Sequence, residues 1–198
     1  MIDQILEDHL LTDEEEERFG SLLREFELTT NDLSPAYVHR LIKAAILKDL
    51  EGGKVPDRIK IDGHLPLNLA RDEKPIWVFQ NATYFLTRSK TTYRGGSHGV
   101  SVRVARGVYL RSSAFKGEPV RTEYLSEEGT GLLAVTNRAV YFYSSAKSFK
   151  ILPKKIIAIE AFSDGISITP DGASPKPRFV KVDDPWFAAN VITRLNNL

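Results

Sequence analysis

Arg94-Gly95-Gly96-Ser97-His98-Gly99 is the segment of this chain best equipped to hold a ligand. Its three glycines leave backbone N–H groups uncovered, and successive N–H groups in a tight turn form a concave nest for an anion. Lys90, Arg94 and Arg103 flank it and would add charge-assisted hydrogen bonds. Arg88, Lys90, Arg94, Gly95, Gly96, His98, Arg103 and Lys116 are therefore the candidate anion-binding residues. The segment reads as a loop over residues 90–99. The competing reading is a hairpin connection whose glycines serve turn geometry alone. A phosphate loop leads into a helix, whereas this one leads into the strand-like stretch 100–111.

Two further basic groups carry weaker signals. Arg103, Arg106 and Arg111 could line a groove for phosphates or carboxylates. Val102, Val104 and Val108 lie among them, which is the pattern of a half-buried strand with a solvated face. Lys147, Lys150, Lys154 and Lys155 surround Phe149, as in a membrane-facing patch, but such lysines also guard an edge strand from pairing. Covalent and metal chemistry lack an inventory. His9, His39, His64 and His98 are scattered, and Ser97-His98 are neighbours in sequence, which does not place a hydroxyl on an imidazole. There is no Walker loop, nucleophile elbow or dinucleotide fingerprint. The expectation is a non-enzyme with no cofactor and no metal.

Cysteine is absent from the 198 residues, which excludes disulfides, thiol nucleophiles and thiolate metal sites. An apolar share of 42% is enough for a core. The net charge of +1 hides a division: residues 1–75 carry 10 Lys+Arg against 17 Asp+Glu, a net of −7, and residues 76–198 carry 17 against 9, a net of +8. The near-neutral total and the acidic half argue against nucleic acid. The acidic start MIDQILEDHLLTDEEEE is unlike a signal peptide, and no run approaches the roughly 18 apolar residues of a membrane span. A cytoplasmic location is expected, with peripheral membrane attachment as the alternative.

The elements that would position these residues follow from local signals. Thr12-Asp13-Glu14-Glu15 is a capping box, with Phe19, Leu22, Leu23 and Phe26 on one helical face behind it. Ser34 caps a second helix with Pro35 in its first position, Val38, Leu41, Ile42, Ala45 and Ile46 as its stripe, and Gly52-Gly53 as its end. Residues 1–11 read as a further short helix. This acidic helical segment spans 1–55, and an irregular connector spans 56–75. From Ile76 the period becomes that of strands: 76–86, 100–111 (bent near Arg106-Gly107) and 119–125. A meander from Gly129 to Ile168 follows, with turns at Thr136-Asn137-Arg138 and Asp164-Gly165, and Phe179–Val182 closes the sheet. Asp184 caps a last helix with Pro185 in its first position, and Trp186 and Phe187 would plug the sheet. The expected class is α+β: a seven-stranded or larger antiparallel β-sandwich or barrel over 76–198, capped by a C-terminal helix and preceded by a helical hairpin or bundle.

Gly131-Leu132-Leu133-Ala134-Val135-Thr136-Asn137-Arg138-Ala139-Val140-Tyr141-Phe142-Tyr143-Ser144 resembles the central signature of GRAM domains, a branch of the PH-like superfamily. Lys147 to Ile156 resembles the segment that follows it, and Leu65-Pro66-Leu67-Asn68-Leu69, Glu73 and Trp77 are similar to the lead-in of bacterial PH-like proteins. The resemblance spans about residues 63–198. It implies a non-catalytic domain that binds protein segments in some members and anionic lipid headgroups in others, and it implies a homo-oligomer as an expectation. A protein partner comes first, docked along an exposed strand edge or beside the C-terminal helix. The alternative is anionic membrane lipid held by the basic loop, with Arg88, Lys90, Arg94, Arg103 and Lys116 on the headgroups. The acidic helices would in that case serve as a lid over the basic surface.

Overall fold

The structure is a computed structural model that describes residues 12–27, 29, 32–61, 63–105, 108–173 and 175–198, with side chains outside the description over 93–105 and 108–120. The expected helix over 1–11 and the expected bend at Arg106-Gly107 lie outside the described residues. The class is α+β, with three helices and a seven-stranded antiparallel sheet among those residues.

Helix α1 spans Asp13–Glu25 and begins as its sequence dictates. The Thr12 hydroxyl accepts from the Glu15 amide at 3.2 Å, and the Glu15 carboxylate accepts from the Thr12 amide at 2.9 Å. None of its residues is buried, and Phe26, at the end of the expected apolar face, is 64% exposed. Lys48 instead ties α1 down by pairing with Asp13 and Glu16. Helix α2 spans Pro35–Glu51, with Ser34 as N-cap and Gly52 as C-cap. It buries Ala44, Ala45, Ile46, Leu47 and Leu50, the last three in the same core as the sheet.

Strand β1 spans Pro75–Ala105 and β2 spans Val108–Thr136. Strands β3 (Val140–Tyr143), β4 (Ser148–Ile151), β5 (Ile156–Ala161), β6 (Gly165–Pro170) and β7 (Arg178–Lys181) are short. Helix α3 follows at Pro185–Arg194. The order across the sheet is β4-β3-β2-β1-β7-β6-β5, so β4 and β5, consecutive in the chain, lie at opposite edges of an open ladder. The expected loop over 90–99 does not form: residues 75–105 are one continuous strand. Its glycines signal turns locally, but a neighbouring strand supplies the hydrogen bonds that make an extended backbone the stable choice.

The chain divides into two compact units: residues up to Leu86 together with Glu127–Leu198, and Thr87–Ser126. The described residues of the second unit are all strand, belonging to β1 and β2. In the first unit, the sheet curls so that Arg178 of β7 lies over the Phe149 ring of β4 at 4.6 Å. Phe149 stacks on Phe142 at 5.5 Å and meets Tyr84 at 5.1 Å, which makes it part of the core; it is not a membrane-facing aromatic. Phe187 of α3 is buried and meets Trp77 edge-on at 5.1 Å. Trp186, expected to share the plug, is 43% exposed, because one turn of helix cannot aim two consecutive residues at one core.

The connector also has a structural task. Leu67 and Leu69 pack on Ala134, Ala139 and Tyr141, on a second cluster separate from the main core. Glu73 is 6% exposed and accepts from Thr136 Oγ1 at 2.6 Å, Tyr141 OH at 2.9 Å and the Ala70 amide at 3.2 Å. Burial alone would raise the pKa of this carboxyl. Its hydrogen bonds from Thr136, Ala70 and Tyr141, with Lys150 nearby, outweigh burial and hold it below the ordinary glutamate range. Asn137 secures the same turn: its carbonyl oxygen accepts from the Lys74 amide at 2.8 Å, and its own amide donates to the Lys74 carbonyl at 3.0 Å.

Candidate functional site

Strand β5 leads directly from the amino-acid sequence to an open surface. Its residues are Ile-Ile-Ala-Ile-Glu-Ala, with one charge. Ile156 and Ile159 pack against the core, which fixes the strand's inner face. Ile157 remains 61% exposed, and Phe162, just past the strand, 49%. The register slips between Ile156 and Ala158, which places an extra residue at Ile157 and lets it point away from the packed face.

The backbone of β5 is satisfied on one side only. The Phe162 amide donates to the Gly165 carbonyl at 2.8 Å, so this pair is of the hydrogen-bonded kind. Alternation along an antiparallel ladder makes Ala161·Ile166 a non-hydrogen-bonded pair, Glu160·Ser167 hydrogen-bonded, and Ile159·Ile168 non-hydrogen-bonded. The N–H and C=O groups of Ile159 and Ala161 therefore point away from β6. No described strand lies on that side. Natural edge strands are usually blunted by lysine, proline, inward charge or bulges; β5 has no lysine or proline, and carries the bulge at Ile157 and the exposed Glu160. The opposite edge, β4, carries Lys150 in its Ser-Phe-Lys-Ile.

A groove runs between this edge and α3. Its volume is about 220 Å³, and it is lined by Ile156, Ile157, Ala158, Ile159, Ile192, Thr193 and Asn196. Helix α3 is held against the sheet by Phe187, Ala188, Val191 and Ile192. Its start is set by Asp184, which accepts from the Phe187 amide at 3.0 Å and pairs with Lys43 of α2 at 2.7 Å. Thr193 and Asn196 satisfy themselves on the helix backbone, the hydroxyl on Ala189 at 2.8 Å and the amide on Thr193 at 3.5 Å. The groove thus joins an apolar wall to a row of outward backbone groups. Such a surface can accept an extended chain.

Larger concavities of about 480, 540 and 680 Å³ surround His39, two of them also lined by Trp77. Some of their polar groups are committed within the fold. Lys43 is paired with Asp184 and sits over the Trp77 and Phe187 rings at 5.6 and 5.2 Å, and the Thr83 hydroxyl is bonded to that of Thr130 at 2.9 Å.

The anion-site residues expected from sequence are all placed in the two long strands. Arg88 and Lys90 are exposed in β1; Arg94, Gly95, Gly96, His98 and Arg103 follow in the same strand, and Lys116 lies in β2. The side chains from Arg94 to Lys116 are outside the described residues. The expected nest is not formed, since an extended strand turns successive N–H groups to opposite sides. Of the second lysine group, Lys150 lies over the Tyr141 ring at 4.8 Å and Lys155 pairs with Asp171 at 3.3 Å.

No family model, curated protein or solved structure matches this chain. Sequence reasoning named a strand edge and the C-terminal helix without residues. The available signal was the near-absence of charge in Ile156–Ala161 beside the amphipathic α3. No helix among the described residues is long and apolar enough to cross a membrane.

Proposed function

We propose that this chain is a non-catalytic binding module of the PH/GRAM-like kind whose partner is a protein segment added as a further strand to β5. The observation that carries the reading is the open edge of β5, whose single charge is Glu160, with outward backbone groups at Ile159 and Ala161 beside a groove on α3. Main-chain hydrogen bonds would supply the affinity, and the groove at Ile157 and Thr193 would select one apolar side chain of the partner.

Ala161→Pro tests this reading. Ala161 is exposed, and its N–H points away from β6, so proline removes one outward donor while leaving the ladder intact. Extended peptides selected from a displayed library on the wild-type protein should bind Ala161→Pro and Ile157→Lys at least about tenfold more weakly, the loss of one good contact. Peptides that bind both variants as they bind wild type would place the binding surface elsewhere. A library from which nothing is enriched would remove the support for strand addition.

A further inference from the structure

The net positive charge of this chain resides in one of its two compact units. Thr87–Ser126 contains eight Lys+Arg and two Glu, a net of +6, and the remaining residues contain 19 Lys+Arg against 24 Asp+Glu, a net of −5. The unit is built from two strands that are neighbours in the sheet order. A two-stranded ribbon has no second layer within it against which to bury a face, and alone in water it is marginal. Such a unit gains most from a surface of opposite charge.

The residue types indicate which surface. The 40 residues include ten Ser+Thr beside the eight cations. Guanidinium, ammonium and hydroxyl groups are those that contact phosphate oxygens. An element seated in a membrane instead presents an apolar face rich in Trp, Phe and Leu; this stretch has no Trp, one Phe and two Leu. The dimensions agree. Two strands ~4.8 Å apart form a ribbon that the duplex major groove, ~12 Å wide, admits. Arms over 87–105 and 108–126 each extend ~60 Å at ~3.3 Å per residue, nearly two turns of duplex.

We propose that the 87–126 ribbon binds duplex nucleic acid through its phosphates, using Lys90, Arg94, Arg103, Arg111, Lys116 and Arg121. This departs from the expectation of no nucleic acid, which rests on the overall charge of +1. Segregation of charge removes that ground, because a ligand meets the local field of the ribbon and not the average over the chain.

The test is fluorescence anisotropy of a labelled random-sequence 25-base-pair DNA duplex (about 85 Å long), titrated with the full chain between 50 and 200 mM salt. Six phosphates neutralised predict a slope of about −5 in log K against log salt, roughly a thousandfold loss of affinity over that range. Lys90→Glu/Arg94→Glu/Arg103→Glu should abolish binding at 50 mM salt, and Lys90→Arg/Arg94→Lys/Arg103→Lys should bind like the wild type. The charge-conserving triple separates loss of charge from loss of fold. No binding at 50 mM salt, equal binding by the charge-reversed triple, or loss of binding in the charge-conserving one would each overturn the proposal. Tighter binding to vesicles with about a third anionic lipid than to the duplex would overturn it in favour of a membrane surface.

Discussion

Replacing Glu73 isolates the interaction that binds the connector to the sheet. Its side chain is 1% exposed and takes hydrogen bonds from Thr136, Tyr141 and the Ala70 amide, with Lys150 Nζ at 3.9 Å. In Glu73→Ala the Tyr141 hydroxyl loses its acceptor inside a residue that is 7% exposed. Thr136 can still turn to the Ala139 carbonyl at 3.0 Å, so part of the loss is recovered. A hydrogen bond to a charged group contributes about 1.5–3 kcal/mol, and removing one partner of a buried polar set costs about 3–5 kcal/mol. The expected cost is about 3 kcal/mol, or a fall in Tm of roughly 6–12 °C for a chain of this size. Urea unfolding followed by circular dichroism would measure it. Glu73→Gln keeps the shape and loses the charge, so it should cost less and alter the response to acid. The folded carboxyl titrates below the ordinary range, so its stabilisation is present above the unfolded value and is lost as pH falls through the folded one. Wild type should therefore lose stability relative to Glu73→Gln on acidification below about pH 4.5, by at most about 1.4 kcal/mol per pH unit. Parallel curves for the two proteins from pH 6 to 3, or a cost under about 1 kcal/mol for Glu73→Ala, would refute the reasoning.

Three further outcomes can be checked directly. Gly131→Ala would set a Cβ within bonding range of the Tyr143 carbonyl oxygen, with Ser144 Cα at 2.9 Å, both rigid backbone; a loss of about 3 kcal/mol in urea unfolding is expected, and a loss under about 1 kcal/mol would mean that β2 and β3 yield easily there. Asp184→Ala removes both the N-cap of α3 and the partner of Lys43, whereas Asp184→Asn keeps the cap; thermal unfolding should show about 1–2 kcal/mol lost in the first and a smaller loss in the second, and equal losses would mean the ion pair dominates. Amides of α1, which has no buried residue, should exchange with deuterium at least about a hundredfold faster than those around Leu47 and Leu50 of α2, and faster again in 1 M salt; equal protection would show that α1 is held by more than Lys48 and Arg58.

What could be read without the structure is what neighbouring residues settle among themselves. The starts of all three described helices were legible, because Thr12, Ser34 and Asp184 each cap an amide three residues on. The Thr136-Asn137-Arg138 turn and the hairpin before Gly165 were legible for the same reason. Gly165 itself serves a different need. A Cβ there would lie 2.6 Å from the Val180 carbonyl, so it is required by the close approach of β7 and not by a left-handed backbone.

The amino-acid sequence by itself determined the strand and helix periods, their caps and turns and the uneven charge, since each depends on residue type and short-range spacing. Only the tertiary structure decided that 90–99 is strand, that α2 shares the sheet's core, that Glu73 meets Tyr141 across 68 positions, and that β5 lies at an open edge. Those outcomes depend on which backbone groups find partners far away in the chain, and a strand's exposed edge is defined only by the neighbour it lacks.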